Sequence, residues 1–200
     1  MRSAFIAVCV VLAGANGSAF AQGAGGGVLV GVNFANLTVD TGGPSVNFDS
    51  RKGLVAGVFA VLPVAPRLAI EPGVFYSSQG AKINGEAFGT SGTIKLNYVQ
   101  VPVLVRAGVP LAPAVSLRLF GGPSFGFRQS AKVRAEGTDE DIKEDVESFD
   151  AGIVFGAGLD VSHFLIDARY TTGLKNAAKD PQEGESVKNR VFSIMAGFRF

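Results

Sequence analysis

The residues best suited to chemistry in this chain are few, and the first is its one histidine, His163, directly after Ser162. A serine hydroxyl beside an imidazole is the smallest pair that can transfer an acyl group, the ring taking the proton as the oxygen attacks. The pair falls in a three-residue connection, Val161–Ser162–His163, between two strand-like segments, and reads as a solvated turn. A second candidate is the acidic run Glu136, Asp139, Glu140, Asp141, Glu144, Asp145 and Glu147, set among Lys132, Arg134 and Lys143. Clustered carboxylates can hold calcium or bridge divalent ions to phosphates. The spacing, however, lacks the central glycine and terminal glutamate of an EF-hand loop, and a charge run of this kind reads as a solvated loop. Gly23, Gly25, Gly26 and Gly27 are followed by no Gly-Lys-Ser or Gly-Lys-Thr, so they do not make a phosphate loop. No catalytic, cofactor-binding or metal-ligating residue is assigned from the sequence, and the expectation is a protein that is not an enzyme.

The ends of the chain bound where it works. Met1-Arg2-Ser3, the apolar stretch Ala4 to Ala15 and the small-x-small site Ala19-Phe20-Ala21 predict a secretory signal peptide over residues 1–21. The stretch is too short for a spanning helix, which needs about 20 apolar residues. Cys9, the only cysteine, leaves with the leader, so disulfides, thiolate metal sites and cysteine nucleophiles are excluded from the mature protein. Loss of Arg2 takes the formal net charge of +1 to zero, which argues against nucleic acid as a partner. Residues 22–27 read as a flexible mature N-terminus and 28–200 as one domain.

Hydrophobic residues make up 47% of the chain, yet none of the mature sequence has an apolar run long enough for a helical span. A membrane protein without helical spans must be a closed barrel, since lipid satisfies no backbone group. Strand-like segments run Val28 to Leu37, Leu54 to Val64, Leu68 to Gln79, Ile94 to Val109, Ala114 to Arg128, Phe149 to Asp160, Phe164 to Leu174 and Arg190 to Phe200. Each reaches the nine to eleven or so residues that a tilted strand needs to cross a bilayer. The connections alternate long and short without exception, as expected of an up-and-down barrel with short periplasmic turns and long extracellular loops. The fold predicted is all-β: an eight-stranded antiparallel up-and-down transmembrane β-barrel.

The two faces of the strands differ in a way that selects lipid outside. Phe149, Ala151, Ile153, Phe155, Ala157 and Leu159 carry no charge, while the other face reads Asp150, Gly152, Val154, Gly156, Gly158 and Asp160. A water-facing surface would be denser in charge; small residues with scattered charges suit a narrow interior. Parity sends Glu71, Asp150, Asp160 and Asp167 inward against Arg106, Arg118, Arg128, Arg169 and Arg199. Buried charges must be paired, so the lumen is expected to be plugged by ion pairs. Outward aromatics gather at the strand ends: Phe34, Tyr76, Phe127, Phe149, Tyr170 and Phe192 near the long loops, and Phe164, Phe198 and Phe200 at the other rim. Such belts mark membrane interfaces.

The final segment, Arg190 to Phe200, has apolar or aromatic residues at every second position back from its terminal phenylalanine. It resembles the closing strand that the barrel-assembly machinery recognises in outer-membrane proteins. Gly31-Val32-Asn33-Phe34-Ala35-Asn36-Leu37, the stretch Ile70 to Lys82, Leu96-Asn97-Tyr98-Val99-Gln100-Val101-Pro102-Val103-Leu104, Asp167 to Leu174 and Asn189 to Phe192 resemble the PorT-type outer-membrane β-barrel family. Gln100 departs from the glutamate often found there. The resemblance implies a small barrel of the Gram-negative outer membrane, a location whose lipids and lipopolysaccharide become its surroundings, and implies no reaction. Enzymatic barrels place their histidine at the outer rim, whereas His163 falls at the periplasmic one. The expectation is a monomeric, non-enzymatic barrel in a structural or surface-interaction role. The alternatives are a narrow pore or secretion-associated component and, more remotely, an outer-leaflet lipid-modifying enzyme.

Overall fold

The structure, a computed structural model, describes residues 24–40, 46–47, 49–83, 92–135, 138–142, 147–174 and 186–200. The proposed leader lies outside the described residues, as do residues 22 and 23. In chain order the strands are β1 (Gly25–Asp40), β2 (Val46–Asn47), β3 (Asp49–Ala65), β4 (Leu68–Ile83), β5 (Gly92–Ala112), β6 (Val115–Ala135), β7 (Thr138–Asp141), β8 (Phe149–Val161), β9 (Phe164–Gly173) and β10 (Ser186–Arg199). Every pairing is antiparallel; β1 pairs with β3 past the short β2, β6 with β8 past the short β7, the other long strands pair in chain order, and β10 returns to β1 from Gly27↔Arg199 to Asp40↔Ser186. The result is a closed eight-stranded barrel of β1, β3, β4, β5, β6, β8, β9 and β10, with β2 added to β1 and β7 to β6 at one rim.

Closure follows from alternation. A period of two leaves each strand with one face apolar and one mixed, and joining the first strand to the last removes both unpaired edges. The outward side is the apolar one. Ile153 and Phe155 are 44% and 53% exposed while Val154 between them is 4% exposed. Inside, Leu29, Val55, Phe59, Val61, Ala69, Phe75, Leu165 and Met195 form one apolar cluster, and Leu104, Phe120 and Val154 another.

Three short turns lie at one rim: Pro66–Arg67, Pro113–Ala114 and Ser162–His163. Arg67 and Ser162 take the left-handed backbone at φ 70° and 57°, as tight reversals demand. The turn expected at Pro110–Pro113 falls later, because β5 continues through Pro110 to Ala112 with a register shift between them. Proline lacks the N–H that a ladder needs, and an irregular pairing accommodates it. β1 also starts earlier than the sequence suggests, since Gly25, Gly26 and Gly27 pair with Val61, Ala60 and Phe59 of β3. Backbone bonds between Gly26 and Phe200 hold the start of β1 and the last residue together at this rim.

At the opposite rim the strands overshoot their expected ends. β5 and β6 each run 21 residues. In β6 the ladder passes from Tyr98↔Arg128 to Asn97↔Ser130, leaving Gln129 as the extra residue of a bulge. Beyond it β6 pairs with β7 instead of β8. The expected loop from Gln129 to Ser148 is therefore partly sheet, because Ala131 and Val133 alternate with Lys132 and Arg134 and sustain a strand. Gly80 of β4 has φ +130°, and a Cβ there would lie 2.0 Å from the Ile94 carbonyl oxygen, so only glycine lets β4 follow β5 upward.

Candidate functional site

The largest concentration of charge among the described residues is inside the barrel, near the turn rim. β4 supplies Glu71, β5 Arg106, β6 Arg118, β8 Asp160, and β9 Asp167 and Arg169, each at an inward position and at most 8% exposed. Arg106 Nη2 donates to Asp160 Oδ2 at 2.8 Å, and Arg169 Nη2 to Asp167 Oδ2 at 2.8 Å. Arg118 lies between them, its Nε paired with Asp160 Oδ1 and its Nη2 with Asp167 Oδ1. Glu71 faces all three guanidinium groups, with Oε1 at 3.3 Å from Arg169 Nη2, and Oε2 at 3.5 Å from Arg106 Nη1 and 3.7 Å from Arg118 Nη1. Arg199 reaches Asp160 Oδ2 at 3.6 Å from the rim, its side chain 38% exposed.

Arginine suits this work because its planar fork meets two carboxylates at once. The Arg169 guanidinium carbon also lies 5.0 Å from the ring centres of both Phe75 and Phe120, a cation–π arrangement that spares the face of the guanidinium from bare hydrocarbon. Gly158 leaves the room required: a Cβ there would come within 2.3 Å of Asp167 Oδ1 and 2.9 Å of Arg118 Nη2. All three carboxylates are held by guanidinium groups. The arrangement is built to hold charges against each other.

A chain of neutral polar groups lies further toward the loop rim. Ser193 Oγ donates to Asn33 Oδ1 at 2.7 Å, Asn33 Nδ2 to Ser77 Oγ at 2.8 Å, and Gln79 Nε2 to Ser77 Oγ at 2.8 Å. Asn189 Nδ2 donates to Gln79 Oε1, and Arg51 Nη1 to the Gln79 carbonyl at 2.5 Å. Parity brings Glu71, Asp160, Asp167, Arg106, Arg118, Arg169 and Arg199 together as expected. Arg128 and Asp150 lie closer to the loops, where Arg128 of β6 opposes Tyr98 of β5 and Asp150 of β8 opposes Gly126 of β6. The amide and hydroxyl chain was missed, although neutral polar residues at inward positions of strands, Asn33 and Ser77 above all, were its available signal.

At the turn rim, Ser162 Oγ is 3.1 Å from His163 Nδ1, both side chains are exposed, and the histidine ring stacks on Phe198 at 5.6 Å. Phe164 meets Phe198 edge-on at 5.7 Å. Toward the other rim, Phe34 pairs with Phe192 at 6.4 Å, Phe127 with Phe149 at 5.5 Å and Phe155 with Tyr170 at 5.2 Å. Two bands of aromatic pairs thus bracket the apolar wall. Of the acidic run, Asp139 and Asp141 are on β7, in register with Arg134 and Lys132. Residues 136, 137 and 143–146 lie outside the described residues, among which there is no group of acids, histidines or cysteines arranged to hold a metal ion.

Comparison with solved structures finds distant likenesses. Ail, the attachment invasion locus protein of Yersinia pestis, is 19% identical over 88% of this chain and 99% of its own, with a TM-score of 0.44. Neisserial surface protein A is 14% identical over 86% of this chain and 97% of its own, TM-score 0.47. OprG of Pseudomonas aeruginosa is 12% identical over 88% and 96%, TM-score 0.46. No curated protein sequence is significantly similar. The profile of the outer membrane protein beta-barrel domain matches residues 20–179, most of the chain. This closed antiparallel barrel, with its apolar wall and aromatic bands, belongs to that outer-membrane family.

Proposed function

We propose that this is a non-enzymatic outer-membrane barrel with a plugged lumen, set in the membrane with its short turns in the periplasm and its long loops outside, where they contact a partner, a surface or lipopolysaccharide. The observation that carries the reading is the set of three arginines and three carboxylates, each at most 8% exposed, drawn from five consecutive staves. Ions crossing such an interior would have to part charges that are worth several kcal/mol to keep together. His163 supports a non-enzymatic reading, since it sits on a turn and packs against an interfacial phenylalanine.

Export through a leader over residues 1–21, delivery to the assembly machinery by the strand ending at Phe200, and a monomeric state complete the proposal. The segments around Asn33, Glu71 and Tyr98 resemble PorT-type barrels and support a kinship with that branch, without its secretion role. Conductance of the refolded protein in planar bilayers tests the plugged lumen: the expected record is a flat baseline, and large, stable, porin-like openings would sink the idea.

A further inference from the structure

We propose that the mouth of the lumen at the turn rim is a pocket for a small carboxylate, with Arg199 as the group that takes the anion. The ion-paired plug forms its floor, where Arg106 meets Asp160, and Gly108, Pro110, Pro113 and Ser116 stand around it, with Ser162 and Arg199 completing the wall. The hollow measures about 280 Å³, near the small end of the range for ligand pockets. A glycine keeps it open. Gly108 follows Arg106 at the next inward position of β5, and a Cβ placed on it would meet nothing within 4 Å. At Gly122 and Gly156, inward and further from this rim, the same atom would come within 2.3 Å of a neighbour, so the interior is filled there and vacant here.

The frame of the hollow is fixed by its backbone. Gly108 N donates to the Arg67 carbonyl, Ser162 N to the Ala114 carbonyl and Arg199 N to the His163 carbonyl, each at 2.8 Å. All three short turns are thereby tied to the wall, and a site already shaped before binding spares a ligand the cost of ordering it. Arg199 is the cation with room to change partners. Its one ion pair among the described residues is with Asp160 Oδ2 at 3.6 Å, beyond hydrogen-bond range, and that carboxylate already takes Arg106 Nη2 at 2.8 Å and Arg118 Nε. A guanidinium fork meets a carboxylate with two parallel bonds. An incoming carboxylate replaces Asp160 at Arg199 and leaves Asp160 to its two buried partners. A phosphate group, with a charge of about −1.5 to −2, would stand against Asp160 across the same hollow and gain less. The prolines and Gly108 give an apolar wall, so the group that carries the carboxylate is small and apolar, as in a short-chain acid or the carboxyl end of a peptide. The orientation given under the proposed function makes this a periplasmic ligand; the pocket itself does not depend on it.

The test is an NMR titration of isotopically labelled, full-length protein refolded in detergent micelles, using butyrate, N-acetyl-glycyl-valine, the carboxamide of that dipeptide and inorganic phosphate. Saturable shifts of the Gly108 amide and the Arg199 Nε–H signals are expected with a carboxylate and not with the carboxamide. A response to butyrate supports the proposal with a free acid as the source, and a response confined to the dipeptide supports it with a peptide end. Arg199→Gln should weaken binding roughly tenfold or more, Arg199→Lys less, and Gly108→Leu, which fills the hollow, should abolish it. Absence of a saturable response to both acids overturns the proposal, as does an equal response to the carboxamide or tighter binding of phosphate. Undiminished binding by a Gly108→Leu variant that still migrates as a folded barrel overturns it too; if that variant fails to fold, the carboxamide and phosphate comparisons on the wild-type protein decide. The side of the membrane is tested separately. Labelling of a Ser162→Cys variant by a membrane-impermeant maleimide only after the outer membrane is opened supports the periplasmic source, and labelling in intact cells overturns the orientation while leaving the pocket standing.

Discussion

Arg118 is the residue on which the interior turns. It is wholly buried, paired with Asp160 and Asp167 and 3.7 Å from Glu71, so truncating it strands carboxylates in a closed space. Arg118→Ala should cost about 3 to 5 kcal/mol, the range for removing one partner of a buried pair, measured by urea unfolding of the refolded protein in vesicles; a loss under about 1 kcal/mol would mean water reaches the cluster freely. The cluster was legible residue by residue because charge at an inward position is conspicuous in a strand of period two. Asn33, Ser77 and Gln79 were not legible, because an amide or hydroxyl at such a position is equally at home on a wet face, and only the fold reveals that they meet Ser193 and Asn189 from the far side of the closure.

The strands carry the division between lipid and interior. Ile153 lies outward on β8, between Phe149 toward one rim and Leu159 toward the other. Ile153→Arg should therefore lose about 2 to 4 kcal/mol, the cost of a cation near the bilayer midplane, by the same unfolding assay; a neutral result would place this position near an interface. Alternation predicted which face of β8 and β5 points out, since Val103, Val105, Ile153 and Phe155 are exposed and Leu104 and Val154 buried. It failed at the tall end of β6. There Lys132 and Arg134 replace the apolar outward series, so the pattern read as a loop, and the bulge at Gln129 shifts parity by one. Residues above the bilayer have no lipid to satisfy, and hydrophobic period ceases to report a strand that hydrogen bonding still maintains.

The eight long strands form a ring closed by β1 and β10, and among the described residues only the short rim strands β2 and β7 leave an edge unpaired. Without boiling, the protein should run on a detergent gel at a different position from the boiled sample, because the closed sheet resists the detergent; identical migration would contradict a closed barrel. Eight strands with alternating long and short connections were readable from the sequence, and closure followed from the need to satisfy every backbone group in lipid. The heights of the staves were not readable. β9 has 10 residues where β5 and β6 have 21, so the wall is lopsided, and that unevenness depends on bulges and on the rim strands β2 and β7.

The seam between β1 and β10 also sets an order in time. Gly27 pairs with Arg199 and Asp40 with Ser186, so the first stave waits for the last before its second edge is covered. Contacts between residues so far apart in the chain form slowly, and until they form the first stave keeps one edge open to pairing with another strand. A chain halted before residue 186 has nothing with which to finish the ring. Such a truncated chain would keep that edge open, a template for aggregation.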